Sequence, residues 1–317
     1  MSVSHAARHG KARLPVPVST PCARQSSSVT GEPSAPAQCH DRRVGTNDPG
    51  WAQDRLTVHG RTLFYRRSLG QEGGVPIVHV HGFGISGSYL MPTARRLAAH
   101  SVNIVPDLPG YGRSQRQDRT LGIPELAESL LAVIDALGFD QVVLVGNSMG
   151  CPISLEVAHA APERVSRLVL VSPAGGLQNQ PLPRALRQLA SDMVRESPRM
   201  APVAVPDYVR FGPINALRLF AELTRFPSLE RLLTVPAPWL AVLGSRDPLM
   251  PLPPRVREVA RLAPANGTVV LIEDAAHALN FSHPGELAHV ITSWLQDREI
   301  VDDPDEPGHS RVLHLRD

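Results

Sequence analysis

The chain is almost without lysine: Lys11 is the single one among 32 lysine and arginine residues. The all-arginine remainder reads as a composition bias and gives no phosphate-binding device. A formal net charge of +2 is too slight for a surface that gathers nucleic acid. Cysteine is scarce as well, with three residues of which two, Cys22 and Cys39, fall in the N-terminal segment. That number builds no disulfide framework, so a reducing, cytoplasmic compartment is expected. No apolar run approaches the ~18 residues of a membrane-spanning helix. His79 and His81 alternate along an apolar stretch, but no carboxylate or cysteine cluster stands at ligand spacing beside them. Neither a metal nor a cofactor is expected. The expected partner is a small molecule, and nothing in the sequence opposes assembly into a homo-oligomer.

What is present is a long αβ alternation between two different ends. Residues 1–50 are rich in Ser, Pro, Ala and Arg, lack hydrophobic periodicity and carry no acidic residue before Glu32. Such a segment is expected to be a disordered extension. An Arg- and Ser-rich, acid-poor start also resembles an organellar transit peptide, whereas a dispensable extension is the reading taken. From residue 300 onward the run Asp302-Asp303-Pro304-Asp305-Glu306-Pro307-Gly308 predicts a solvated tail. Between these ends, Leu56–Val58 and Leu63–Tyr65 predict a hairpin turning at His59-Gly60, and Tyr89–Ala99 predicts a first helix. Leu126, Leu130, Ile134 and Leu137 repeat at helical spacing up to Gly138. Strands alternating with such helices give a mostly parallel sheet covered on both faces.

One strand carries the decisive motif. Val142-Val143-Leu144-Val145 is an apolar run that ends in Gly146-Asn147-Ser148-Met149-Gly150 before a helical pattern begins. A bare G-x-S-x-G occurs by chance in roughly one chain in ten of this length. The strand before and the helix after give it weight, against the alternative of a small-residue turn that merely packs a βα unit. A strand turning at once into a helix holds Ser148 in a cramped backbone, with its hydroxyl at a helix N-terminus where amides meet developing negative charge.

A serine hydroxyl is a weak nucleophile near neutral pH and needs a base with an orienting carboxylate. Asp247 follows the apolar strand Trp239–Leu243, and His277 follows Thr268–Ile272. The order nucleophile, acid, base results, with all three beyond strand ends. Asp274, three residues before His277, is a competing acid that would struggle to reach the imidazole. His283 precedes Pro284 at a helix start and reads as a surface or capping residue. The strand Ile77–Val80 breaks at His81-Gly82-Phe83-Gly84, where the amide of Phe83 could join that of Met149 as an oxyanion hole. His81 is expected to hold this loop by hydrogen bonds, and Cys151 to be a packed small residue.

Taken together, His81–Gly84, Asp107-Leu108-Pro109-Gly110-Tyr111-Gly112-Arg113-Ser114, Gly146–Gly150, Gly244-Ser245-Arg246-Asp247-Pro248 and Ala276-His277 resemble the capped α/β-hydrolase superfamily from about Leu56 to Leu295. The resemblance implies an α/β fold with a mostly parallel eight-stranded sheet and a helical cap. The core would comprise residues 51–172 and 237–299, the cap 173–236, and the tail 300–317. It further implies a cofactor-independent serine esterase in which Ser148, Asp247 and His277 are catalytic, while Asp107 has a structural part. The expected substrate is a small hydrophobic ester touching Phe83, Met193, Tyr208, Phe220 and Leu279. Leu186, Leu189 and Met193, then Leu217, Phe220 and Leu223, set the expected cap stripes. Two alternatives stay open. One is a C–C bond hydrolase of the meta-cleavage-product type, which G-N-S-M-G also resembles although Ala278 follows His277 where that branch has Trp. The other is a ligand-binding, receptor-like member with little turnover.

Overall fold

Strands whose side chains are apolar on both sides need cover on both faces, and here they have it. The computed structural model describes residues 48–70, 73–173, 182–249, 261–262, 265–301 and 310–313, all within one compact unit, Ala37–Asp317. The expectation for residues 1–47 lies outside the described residues. β1 (Trp51–Val58) and β2 (Arg61–Ser68) form the opening hairpin. Its turn residues His59 and Gly60 both adopt positive φ, which matches the twist of a two-residue hairpin. β3 (Ile77–Val80), α1 (Met91–Leu97), β4 (Asn103–Asp107), α2 (Ile123–Ala136), β5 (Val142–Asn147), α3 (Gly150–Ala160) and β6 (Val165–Val171) follow in alternation.

After β6 the alternation stops for four helices, α4 (Leu182–Arg195), α5 (Ala201–Phe211), α6 (Pro213–Leu223) and α7 (Ser228–Thr234). It then resumes with β7 (Trp239–Gly244), β8 (Gly267–Ile272), the short α8 (Leu279–Ser282) and α9 (Pro284–Leu295). The sheet order is β1-β2-β4-β3-β5-β6-β7-β8-β9, parallel from β4 through β8. Alternate residues serve opposite faces. Leu144 of β5, Leu168 of β6 and Trp239 of β7 pack on the side of Leu126 and Leu130 of α2 and Ile153 of α3. Val145, Val169 and Leu240 pack on the other side with Leu97 of α1 and Val290 and Ile291 of α9. The strand order reverses at β3, which pairs with β4 on one side and β5 on the other. A crevice opens at the carboxyl ends at such a switch point.

Two expectations are corrected. A ninth strand, β9 (Ser310–Leu313), pairs antiparallel with β8 through Val269–Leu313 and Val270–Val312. The eight expected strands therefore gain an edge strand from the segment read as a solvated tail. The outer edge of β8 offers unpaired amides and carbonyls, and a short stretch beyond the acidic run suffices to occupy them. The first helix divides into a 3₁₀ turn, Gly87–Leu90, followed by α1. Among the described residues no helix is long and apolar enough to cross a membrane.

The four helices after β6 contact the core loops partly through carboxylates. Asp207 Oδ2 accepts from the Ser86 amide at 2.8 Å, Glu222 Oε1 from the Ile123 amide at 2.9 Å and Glu196 Oε1 from the Ala278 amide at 2.7 Å. Each bond joins an ionisable acceptor to a backbone donor that no strand or helix uses, the stronger kind of hydrogen bond.

Candidate active site

Between β5 and α3 the chain must reverse within two residues. Ser148 takes the strain with φ of +54°, a left-handed conformation that costs a non-glycine residue about 1–2 kcal/mol. The flanking glycines are required by close approach. A Cβ on Gly146 would collide with the Gly150 carbonyl oxygen, and one on Gly150 with the carbonyl oxygen of Val80. The Ser148 amide donates to Val171 O at 3.0 Å, tying the turn to β6. Its side chain lines a small cavity of about 60 Å³ that also touches His277, Gly82 and Phe83.

His277 and Asp247 come from the loops after β8 and β7 and are both buried. His277 Nδ1 lies 2.8 Å from Asp247 Oδ2, while Asp247 Oδ1 accepts from the Leu249 amide at 2.7 Å. A carboxylate can only accept, so Nδ1 carries the hydrogen and Nε2 presents a lone pair when the ring is neutral. That Nε2 is buried without a hydrogen-bond partner among the described residues. Burial, the largest single influence, pushes the imidazole down. The charge and hydrogen bond of Asp247, followed by the charges of Asp192 and Glu196, outweigh it and push His277 up to about 9. Asp274 is exposed with its amide on Ser245 Oγ at 2.9 Å, away from this pair. His283 stands at the N-cap position of α9 and is bonded to Ser282.

A chain of hydrogen bonds ties the three loops together. The Gly82 amide donates to Tyr89 Oη at 2.8 Å, and that hydroxyl donates to Asn147 Oδ1 at 2.6 Å. Asn147 Nδ2 in turn donates to Val171 O at 3.1 Å and to His277 O at 3.3 Å. One side chain, the second residue of G-N-S-M-G, thus reaches the loop after β3 through Tyr89 and the histidine loop directly. Sequence reading missed both Asn147 and Tyr89; the only sign was a polar residue at the end of an otherwise apolar strand. His81 holds the same loop as expected, accepting from the Leu108 amide at 3.0 Å and bonding Gly82 O at 2.9 Å. Among the described residues the amides of Phe83 and Met149 take no part in the turn and loop backbone hydrogen bonds around them.

Other side chains weighed from sequence have structural places. Asp107 is fully buried and accepts from Arg66 Nη1 at 2.9 Å, Gly87 N at 3.0 Å and Arg113 N at 2.9 Å. His79 is paired with Asn103 at 2.6 Å, and burial pushes it down to about 4. The described residues hold no group of three potential metal ligands. Cys151 is buried against the carbonyls of Gly146 and Val171, and burial pushes its thiol up.

The cavity wall differs from expectation on the side of the inserted helices. Phe83, Tyr208 and Phe220 line it, whereas Leu279 is 0% exposed and packs on the opposite face of the sheet with Leu97 and Val290. It heads the short helix α8, whose turn carries it under the loop, and Ala278 takes the place at the wall. The Met193 side chain lies outside the described residues. On α4 the inward stripe is Ala185, Leu189, Asp192 and, just past the helix end, Glu196, while Leu186 is 42% exposed. Leu189 faces inward as expected, but Ala185 rather than Leu186 fits against the core. Similarly Leu217 is exposed, although Phe220 and Leu223 face inward. Asp192 and Glu196 were not anticipated; a carboxylate pair at i and i+4 in register with Leu189 was their signal.

A model of the alpha/beta hydrolase family matches residues 77–290. A pimeloyl-[acyl-carrier protein] methyl ester esterase from Pectobacterium carotovorum is 27% identical over 253 residues, covering 71% of this chain and 95% of that protein. A dihydrolipoyllysine-residue acetyltransferase component of an acetoin cleaving system from Pseudomonas putida is 41% identical over 126 residues. That match covers 40% of this chain, which spans about a third (34%) of the length of that relative. Among solved structures, a thermophilic esterase from Thermogutta terrifontis superposes with a TM-score of 0.61 at 22% identity, over 77% of this chain and 98% of that one.

Proposed function

Since the chain belongs to the alpha/beta hydrolase family, we propose that it is a serine hydrolase that cleaves carboxylic esters through an acyl-enzyme. The observation that carries this reading is the Asp247–His277 pair at 2.8 Å, whose unpartnered Nε2 shares a cavity with the left-handed Ser148. Ser148 Oγ attacks the ester carbonyl while His277 Nε2 takes its proton, and the collapsing intermediate receives that proton on the leaving alcohol. Water then repeats the sequence on the acyl-enzyme and returns free serine and a carboxylic acid. Asp247 keeps Nδ1 protonated and stabilises the imidazolium formed in each transition state.

The amides of Phe83 and Met149 are the donors for the developing oxyanion. Two neighbours are excluded from that part because the Gly82 amide is bound by Tyr89 and the Ser148 amide by Val171. The name of the Pectobacterium relative, matched along nearly its whole length, supports an ester as the bond cleaved. The decisive measurement is labelling by a fluorophosphonate together with hydrolysis of an ester panel. Wild type should be labelled and active, and Ser148→Ala neither. Undiminished labelling of the variant would remove Ser148 from this position.

A further inference from the structure

One wall of the cavity is built from groups that the reaction does not require. Asp192 and Glu196 lie four apart at the end of α4, on one face of the helix, and both line the cavity that holds Ser148 and His277. Asp192 is only 6% exposed, and its Oδ1 is buried with no hydrogen-bond partner among the described residues. Glu196 divides its two oxygens. Oε1 accepts from the Ala278 amide, and Oε2 is buried with no partner among the described residues. Arg195, the cation nearest in sequence, directs Nη1 to the carbonyl of Arg246 at 3.2 Å instead.

We propose that Asp192 and Glu196 form an ammonium-binding subsite in the cavity wall, and that the substrate carries a protonated amine seated there. The substrate part of this statement rests on the esterase reading; the binding part does not. An ammonium is a compact charge with three N–H donors, so one such group carries donors enough for both orphan oxygens. An alkyl group in the same place would leave both unpaired, and a substrate carboxylate would be repelled. The rest of the wall, with Leu189, Met200, Phe220 and Leu223, suits the methylenes between the amine and the ester. Burial pushes Asp192 up to about 7 and raises Glu196, and the charge of His277, which lowers both, does not offset it.

The test compares methyl esters of ω-amino acids of graded length with n-alkanoate esters in which methyl replaces ammonium, and with monomethyl esters of the matching dicarboxylic acids. In wild type kcat/KM should favour the amino ester over its alkyl isostere by about 10- to 100-fold, with the dicarboxylate ester poorest. Asp192→Asn and Glu196→Gln should each collapse that ratio toward one. A ratio near one in wild type, or an unchanged ratio in folded Asp192→Asn and Glu196→Gln, overturns the subsite.

A second arm needs no turnover. n-Alkylammonium ions should raise the thermal midpoint of wild type and of Ser148→Ala, and not of Asp192→Asn; equal shifts, or none, in all three overturn the subsite. Failure of the hydrolase reading looks different: no fluorophosphonate labelling and no ester hydrolysis, with the ammonium shift still deciding the subsite. Labelling and hydrolysis without preference or shift leave the hydrolase and remove the ammonium.

Discussion

Two buried aspartates set the core apart from the inserted helices. Asp107, on the sheet side, spends its oxygens on Arg66 and two backbone amides. Asp192, on the side of the inserted helices, leaves Oδ1 without a partner among the described residues. A buried polar atom left unpaired costs about 1–3 kcal/mol, more if charged, so the first arrangement holds the protein together and the second strains it. The same contrast runs through the whole site. Tyr89, Asn147 and His81 lock the loops after β3, β4 and β8 to the end of β5, whereas Asp192 Oδ1 and Glu196 Oε2 are buried with no partner among the described residues. The rigid side fits a reaction common to many substrates, and the unsatisfied side fits the choice among them.

Breaking the rigid side should produce the largest effect. Asp247→Asn removes the acceptor that fixes the imidazole tautomer, and kcat should fall by orders of magnitude, about 10⁴-fold in a comparable triad. Asp274→Asn, exposed and bonded elsewhere, should cost little. Steady-state kinetics of the two folded variants decides the matter, and the opposite ranking would transfer the role to Asp274.

Next comes the loop after β3. Phe83→Pro removes one amide donor, for a loss of about 10²- to 10³-fold in kcat. Phe83→Ala keeps the donor and strips a ring that meets Phe211 and Phe220, so it should act chiefly on KM. Circular dichroism establishes that each is folded, and equal kcat in both would move the oxyanion hole elsewhere.

The smallest effect probes the other side through pH. With His277 as the proposed base, which acts when neutral, kcat/KM should rise as pH climbs through its pKa, raised to about 9 by Asp247, Asp192 and Glu196 against burial. Asp192→Asn takes away one of the charges that raise it. The acidic limb should then shift to lower pH, with relatively more activity near neutrality. A pH profile with the limb unmoved would show that the helix α4 carboxylate does not act on the base.

The positions of Ser148, Asp247 and His277 were legible because each lies where an apolar strand ends, and strands that feed helices across a parallel sheet leave only those ends open. Gly146 and Gly150 were legible for a stronger reason, since no other residue fits where backbones touch. Tyr89 and Asn147 were not, because a hydrogen bond between loops 58 residues apart leaves no local pattern. On α4 Leu189 was legible but Leu186 was taken for Ala185, since a period of 3.6 tolerates neighbouring faces until packing selects one. Leu279 was misplaced for a like reason: a short helix turns it under the loop and into the far core.

The sequence by itself determined the alternation of strands and helices, the strand ends, the glycine-flanked serine and the order of Ser148, Asp247 and His277 beyond them. Hydrophobic period and backbone sterics act over a few residues and leave their mark there. Tertiary structure alone decided that the tail beyond the acidic run supplies a ninth strand, that Asn147 joins three loops, and that two carboxylates line one cavity, each with an oxygen left unpartnered among the described residues. Those outcomes depend on which surfaces and which polar atoms remain unmatched once the chain has packed, a quantity that no single segment carries.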